Sequence, residues 1–192
     1  MKATHWQNLT DPVQAPRYCA ISAAVRRMGA SRVLDIGAGT GVLRRYLSPD
    51  VFYFGVEPDP CAAAEAEAEG MAMAVASGDA WGAFRRGLVQ QIRPDVVVFS
   101  ECLYYMEDPL AVLGAYAATA KPGAAIVVTI FMRPEAPSVR GWVARAIRSR
   151  RPVSNQHCAE MVDKWARTVR GESRMIPCAS GEWSWKMWTL YP

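Results

Sequence analysis

The chain has 192 residues, 51% of them apolar and 21% charged, with a formal net charge of +4. That length suits one domain with a full hydrophobic core and leaves little room for two. The composition is that of an ordinary soluble globular protein, and no apolar run approaches the length of a membrane span.

The opening MKATHWQNLTDP lacks the apolar core of a signal peptide, and a helix is expected over Pro16–Met28. "RVLDIG" reads as a buried strand and "TGVLRRYL" as a helix; "VFYFGVE" is the next strand, followed by an alanine-glutamate helix, "PCAAAEAEAEG", stopped by Gly70. "MAMAVAS" is a weaker strand, and a helix is predicted from Trp81 to Gln91. "PDVVVFS" is strongly β-branched, "EDPLAVLGAYAATA" is a helix ending before Lys121-Pro122-Gly123, and "AAIVVTIF" completes five strands. Strands this continuously apolar are buried on both faces, and their alternation with helices makes the sheet parallel. Two helices are then expected, Ser138–Arg150 and Asn155–Arg170. The end, "SRMIPCAS", Gly181, "EWSWKMWTLYP", reads as an antiparallel hairpin at the sheet edge. Trp183, Trp185, Met187, Thr189 and Tyr191 share one face of its second strand, a row read as core packing.

"VLDIGAGTG", Val33 to Gly41, lies at the carboxyl end of the first strand, where open parallel sheets bind ligands. Gly37, Gly39 and Gly41 let the backbone bend sharply and approach a ligand without Cβ contact. A dinucleotide turn has G-x-G-x-x-G; here the spacing is G-x-G-x-G and Val42 follows. Asp35 stands two residues before the first glycine, where it would repel a pyrophosphate and favour a cofactor carrying ammonium and sulfonium charges.

"VLDIGAGTG" resembles the first motif of the class I methyltransferases that use S-adenosyl-L-methionine, and the resemblance continues in order over Arg32 to Phe131. "YFGVEPD" is similar to the second motif, "SGDAW" to the third, "PDVVVFSECLYY" to the fourth, and "AKPGAAIVVTI" to the turn and strand that follow. The resemblance implies an α/β, single-domain Rossmann-like fold: a mostly parallel seven-stranded sheet with the antiparallel C-terminal hairpin and helices on both faces. Residues 1–192 form that one domain, with 1–29 as an N-terminal cap and 133–171 as a helical insertion on the substrate side. It also implies cofactor contacts from Asp35, Gly37, Ala38, Gly39 and Gly41. Glu57 would take both ribose hydroxyls, since a carboxylate offers two acceptor oxygens to a vicinal diol, with Pro58 beside it. Asp79 would accept from the adenine amino group, Ala80 would offer its backbone N–H, and Ser100, within the fourth motif, would also contact the cofactor. Taken singly, Asp35 and Asp79 also read as helix-cap or turn acids, and Glu57 as a turn acid before Pro58.

Nucleic-acid amino methyltransferases commonly carry N/D-P-P-Y/F at the fourth motif, and "SECLYY" departs from it. "SECLYYMEDP" resembles the small-molecule members, including nodulation-type N-methyltransferases, to whose early DP element and arginine-tyrosine helix start Asp11-Pro12 and Arg17-Tyr18 are loosely similar. The expected acceptor is a small or glycan-type molecule with a nitrogen or oxygen nucleophile. Glu101 is placed to hold an ammonium or accept a proton; its plainer reading is a helix-start acid. Tyr104 could direct a lone pair, and Tyr104 or Tyr105 could wall the methyl group; both also read as packing residues. His157 on the late helix and Trp6, with His5, on the N-terminal segment are further acceptor-side candidates.

The charge is uneven: ten basic and four acidic residues between Arg133 and Arg174 give +6, against −2 elsewhere. This reads either as solvated helix faces or as a flank attracting an anionic acceptor; with few aromatics interleaved, it does not read as a nucleic-acid groove. Five scattered cysteines without a C-x-x-C pair argue against structural zinc and fit free thiols in a reducing cytoplasm. No carboxylate cluster supports a metal. Two other classes stay open on the residues alone: a non-catalytic S-adenosylmethionine-binding protein and a nicotinamide-dependent reductase, the latter without a visible Tyr-x-x-x-Lys.

Overall fold

A computed structural model describes residues 10–70, 73–74, 79–132, 153–180 and 183–192. The first half of the sheet comes from β1 (Arg32–Ile36), β2 (Phe52–Val56), β3 (Met73–Ala74) and β4 (Val96–Ser100). It is completed by β5 (Ala125–Met132), β6 (Arg170–Pro177) and β7 (Ser184–Tyr191). The order is β3-β2-β1-β4-β5-β7-β6, with the first five strands parallel and β7 antiparallel to both β5 and β6. The order therefore reverses between β1 and β4, and the crevice beyond their carboxyl ends is the natural ligand site.

The central strands are buried on both sides, but alternate residues serve two different cores. Leu34, Ile36, Val97, Phe99, Ile126 and Val128 face one core, together with Val112, Leu113 and Tyr116 of α5 (Pro109–Thr119) and Cys158 and Val162 of α6 (Asn155–Ala166). Val33, Tyr53, Val96, Val98 and Val127 face the other, under Tyr18, Ile21 and Val25 of α1 (Ala15–Arg27). Trp185 and Met187 join this second core, with Trp183 packed against it, so the tryptophan row is core packing as expected. Trp188 points the opposite way and donates to Asp163 of α6 at 2.9 Å.

Two helices and one 3-10 turn start after Asp-Pro pairs, because the aspartate accepts otherwise unpaired N–H groups while proline needs none. Asp59 caps α2 (Pro60–Ala68) by accepting from Cys61 and Ala62, and Asp108 caps α5 by accepting from Ala111. Asp11 does the same for a short 3-10 turn, Pro12–Gln14, that leads into α1.

Three predicted elements differ in detail. "TGVLRRYL" forms one 3-10 turn, Val42–Tyr46, because the Arg44 guanidinium gathers the carbonyls of Leu47, Ser48 and Pro49 and closes it. The helix expected over Trp81–Gln91 is two, α3 (Ala80–Arg85) and α4 (Leu88–Ile92), separated at Gly87 with φ +68°. The late helix stops at Ala166, and β6 begins at Arg170, within the span expected to be helical. The expected helix Ser138–Arg150 lies outside the described residues, as does most of the basic flank before residue 153. Among the described residues, no helix is long and apolar enough to cross a membrane.

Candidate active site

The glycine turn is pinned to the second strand. Gly37 and Ala38 both donate to the carbonyl of Val56, at 2.8 and 3.1 Å, and Gly41 donates to Ala38 at 3.0 Å. Gly37, Gly39 and Gly41 all have positive φ, +73°, +58° and +73°, which glycine adopts without steric cost. Gly41 also ends the turn as the left-handed residue before Val42–Tyr46.

Glu57, just past β2, meets this turn. It is 1% exposed; one carboxylate oxygen accepts from Gly39 N–H at 2.8 Å and the other from Asp59 N–H at 2.9 Å. Burial raises its carboxyl above the ordinary value, and the two backbone N–H groups pull the other way. Each oxygen keeps a second lone pair. Pro58 beside it is exposed.

Asp35 is 2% exposed and turns toward the α1 side of the sheet, where it accepts from the Tyr53 hydroxyl at 2.8 Å. Burial pushes its carboxyl up to about 7, against the Tyr53 hydrogen bond and the Arg17 charge, which lower it. Arg17, itself 3% exposed, lies with its guanidinium carbon 4.5 Å from the Tyr18 ring centroid and 5.7 Å from that of Trp185.

The fourth strand brings the acceptor-side candidates to the same edge. Ser100 Oγ lies 3.1 Å from Thr129 Oγ1. Glu101 has φ +62°, a left-handed conformation that side chains rarely adopt, and its N–H donates to Thr129 O at 3.1 Å. Its carboxylate accepts from the Tyr104 hydroxyl at 2.9 Å. Cys102 then folds back under the glycine turn, its thiol donating to Ile36 O at 3.0 Å. Burial, followed by the charges of Asp35 and Glu101, holds that thiol well above its ordinary value. From α6, Cys158 faces the same carboxylate: burial and then the Glu101 charge push its thiol to about 12. Tyr105 is 53% exposed and its ring leans on Tyr104 with centroids 4.8 Å apart.

The remaining candidates are less central. Asp79 is exposed and caps α3, accepting from Gly82 N–H at 2.9 Å, while the Ala80 carbonyl accepts from the Tyr116 hydroxyl at 2.8 Å. His157 has a 65% exposed side chain, 3.9 Å from Glu160. Trp6 and His5 lie outside the described residues. The residues that sequence reasoning left out are Tyr53, Cys102, Thr129 and Cys158, together with Arg17, which entered only through a loose pattern. Each is a single residue without a spacing signal. A groove of about 620 Å³ lined by Ser22, Arg26, Ser31, Tyr46, Ser48 and Asp50 sits at the amino-terminal ends of β1 and β2, away from these groups. Among the described residues, no group of histidines, cysteines and carboxylates could hold a metal.

A family model described as a methyltransferase domain matches residues 13–169. No curated protein matches the chain. Among solved structures, the N-methyltransferase NodS from Bradyrhizobium japonicum WM9, in complex with S-adenosyl-L-homocysteine, is 17% identical with a TM-score of 0.63, covering 97% of this chain and 91% of that one. The plantazolicin methyltransferase BpumL, in complex with a triazolic desmethyl-plantazolicin analogue and S-adenosylhomocysteine, is 11% identical with a TM-score of 0.71, covering 98% and 88%. An O-methyltransferase from Bacillus cereus, also in complex with S-adenosylhomocysteine, is 14% identical with a TM-score of 0.62, covering 92% and 80%. At these identities the likeness carries the α/β Rossmann-like fold, with its mostly parallel sheet and antiparallel C-terminal strands. The match over residues 13–169 carries the assignment: the chain belongs to the methyltransferase-domain family.

Proposed function

We propose that the protein transfers a methyl group from S-adenosyl-L-methionine to a nitrogen or oxygen of a small-molecule or glycan-type acceptor. The observation that carries the cofactor half is Glu57, a buried carboxylate whose two oxygens are aligned by Gly39 and Asp59 beside a three-glycine turn. That arrangement fits the group: the turn offers backbone without Cβ bulk, and Glu57 offers two further lone pairs suited to a ribose diol. Asp79 and Ala80 open α3 beyond β3, where an adenine ring would be read. When bound, the cofactor supplies an electrophilic methyl on a sulfonium.

The chain's own contribution to transfer is positioning and proton management. Glu101 is held at the β4 edge by its left-handed backbone and by the Tyr104 hydroxyl. From there its carboxylate holds an ammonium acceptor and takes a proton from it, freeing the nitrogen lone pair for attack; a hydroxyl acceptor needs the same base more. Tyr104 keeps that carboxylate aimed, and the exposed Tyr105 ring walls the entrance. His157 on α6, and Trp6, belong to the acceptor side in this reading.

The test is incubation with methyl-labelled S-adenosylmethionine and matched panels of small amines, amino sugars and phenols. The expected result is label on one acceptor class, with S-adenosylhomocysteine and not NADH binding in titration. Binding of NADH without response to S-adenosylhomocysteine would overturn the reading.

A further inference from the structure

The two edges of the sheet differ. At one end β3 offers only Met73 and Ala74; at the other β6 runs for 8 residues, Arg170–Pro177, and among the described strands pairs with β7 alone. All of β6 except Ile176 is exposed. Every second residue of such a strand points its backbone N–H and C=O away from the sheet, a template for a further strand. Pro177, which has no N–H, closes the stretch, so 170–176 is the part able to pair.

The side chains of this edge are sorted by face. Glu172 accepts from Arg27 of α1 at 3.1 Å, Arg174 donates to the Ala20 carbonyl of α1 at 3.3 Å, and Ile176 is buried in the α1-side core. Arg170, Glu172 and Arg174 therefore share the α1 face, and Gly171, Ser173 and Met175 share the opposite one. Met175 is 53% exposed, and Gly171 stays bare because a Cβ there would stand 2.6 Å from Leu190 Cδ2.

We propose that β6 pairs antiparallel with β6 of a second copy of the chain, about a two-fold axis at Ser173, giving a dimer with one continuous sheet. An axis normal to the sheet keeps both α1 faces on one side, so charged positions meet charged-face positions and never the other face. The charges then select the register, because opposite charges directly across strands stabilise and like charges destabilise. Centred on Glu172, the pairing sets Glu172 against Glu172 and Arg170 against Arg174. Centred on Arg174, it sets Arg174 against itself. Centred on Gly171, it matches Arg170 to Glu172 but leaves Arg174 and Met175 opposite positions 168 and 167, outside the strand. Centred on Ser173, Glu172 of each copy meets the partner's Arg174, and the whole of 170–176 pairs. On the other face Met175 then lies across from the partner's Gly171, where no side chain obstructs it. Both faces fit this one register. It lies away from the crevice at β1 and β4 and does not depend on the cofactor reading.

Sedimentation over a concentration range of about 1–500 µM tests the proposal. The expected result is a monomer–dimer equilibrium with Kd of about 1–100 µM, as suits a small interface. Glu172→Arg and Arg174→Glu each turn both cross-strand pairs repulsive, and each should raise Kd at least tenfold. The two exchanges combined should bring it back to within about threefold of the unmodified protein, with thermal melts confirming that every variant is folded. Ser173→Cys gives a second readout at an exposed position. Residues paired on the axis have Cα atoms about 4.5–5.5 Å apart, within disulfide reach. In a chain whose exposed Cys19 and Cys61 are changed to serine, Ser173→Cys should therefore cross-link two copies under mild oxidation. A monomer at every concentration, or a dimer indifferent to the single exchanges, overturns the proposal. So does a dimer that the combined exchange fails to restore, or one that Ser173→Cys fails to cross-link.

Discussion

Cys102 closes the space behind Gly37: a Cβ built on Gly37 would stand 2.6 Å from Cys102 Cβ and 3.3 Å from its sulfur. The glycine is needed twice over, for this contact and for its φ of +73°. Gly37→Ala should therefore destabilise the fold by about 1–3 kcal/mol, through left-handed strain and displacement of the β4 loop. Denaturant unfolding measures that cost, and titration with S-adenosylhomocysteine should show at least a tenfold loss of affinity. Unchanged values in both would mean the turn and the loop adjust freely.

Glu57→Ala removes a carboxylate that two backbone N–H groups already address. With its lone pairs gone, affinity for S-adenosylhomocysteine should fall by about 1–3 kcal/mol, roughly ten- to a hundredfold, as expected for hydrogen bonds to a charged acceptor. Glu57→Gln, which keeps one acceptor oxygen, should fall between. Full affinity in Glu57→Ala would remove Glu57 from the ribose site.

The parts of the fold visible in the sequence are those set by local rules. β-Branched runs mark β1, β4 and β5, Asp-Pro pairs mark the starts of α2 and α5, and the glycine spacing marks the turn. What escaped depends on long-range contacts. Arg44 ends its turn by capturing three carbonyls, which no periodicity reports. Gly87 splits one amphipathic stretch into two helices because the chain needs φ +68° there. β6 begins at Arg170 because it pairs with Tyr191, a partner 21 positions along the chain. The site divides the same way: Gly37, Gly39 and Glu57 are motif residues, whereas the Arg17 charge comes near enough to lower the Asp35 carboxyl only once α1 packs on the sheet.

Asp95 offers a stability test at the opposite end of the strands. Its carboxylate accepts from the N–H groups of Ser31 and Arg32, both at 2.8 Å, from the Ser31 hydroxyl at 3.1 Å, and from Lys121. Burial alone would raise this carboxyl, but the Lys121 ammonium and the hydrogen bonds from Ser31 and Arg32 bring it below its ordinary value. A carboxyl depressed in the folded state contributes stability above its unfolded pKa, and that contribution is lost as pH falls through the folded one. Asp95→Ala should thus cost about 1–3 kcal/mol at neutral pH, with the gap to the unmodified protein narrowing on acidification below about pH 4. A gap that does not narrow would show that lost packing, not charge, sets the cost.

Asp35 has the opposite sign. Its carboxyl is raised to about 7 by burial, so the folded state holds a proton that the unfolded chain releases from about pH 4 upward. Stability of the cofactor-free protein should therefore fall between about pH 4 and 7, by a few kcal/mol at most. Thermal melts across that range should show the decline, and it should be absent in Asp35→Asn. A melting temperature that rises through this range in the unmodified protein alone would contradict the assignment.

Glu101 permits a sharper test, because its backbone and its side chain can be separated. At φ +62° a glutamate pays roughly 1–2 kcal/mol of left-handed strain that glycine would not. A purely structural residue at this position gains nothing from being glutamate; a carboxylate that must be aimed from the β4 edge does. Glu101→Gly should relieve the strain, so stability should hold or rise, while turnover falls by about 10²-fold with loss of the base. Glu101→Gln keeps the shape and the Tyr104 contact as an acceptor, and should lose turnover to a similar degree without gaining stability. Tyr104→Phe leaves the carboxylate and removes its 2.9 Å donor, so a smaller loss is expected, with an altered pH–rate profile. In all three, affinity for S-adenosylhomocysteine should stay near that of the unmodified protein. If Glu101→Gly instead lowers stability and leaves turnover intact, the left-handed carboxylate serves the loop and not the acceptor.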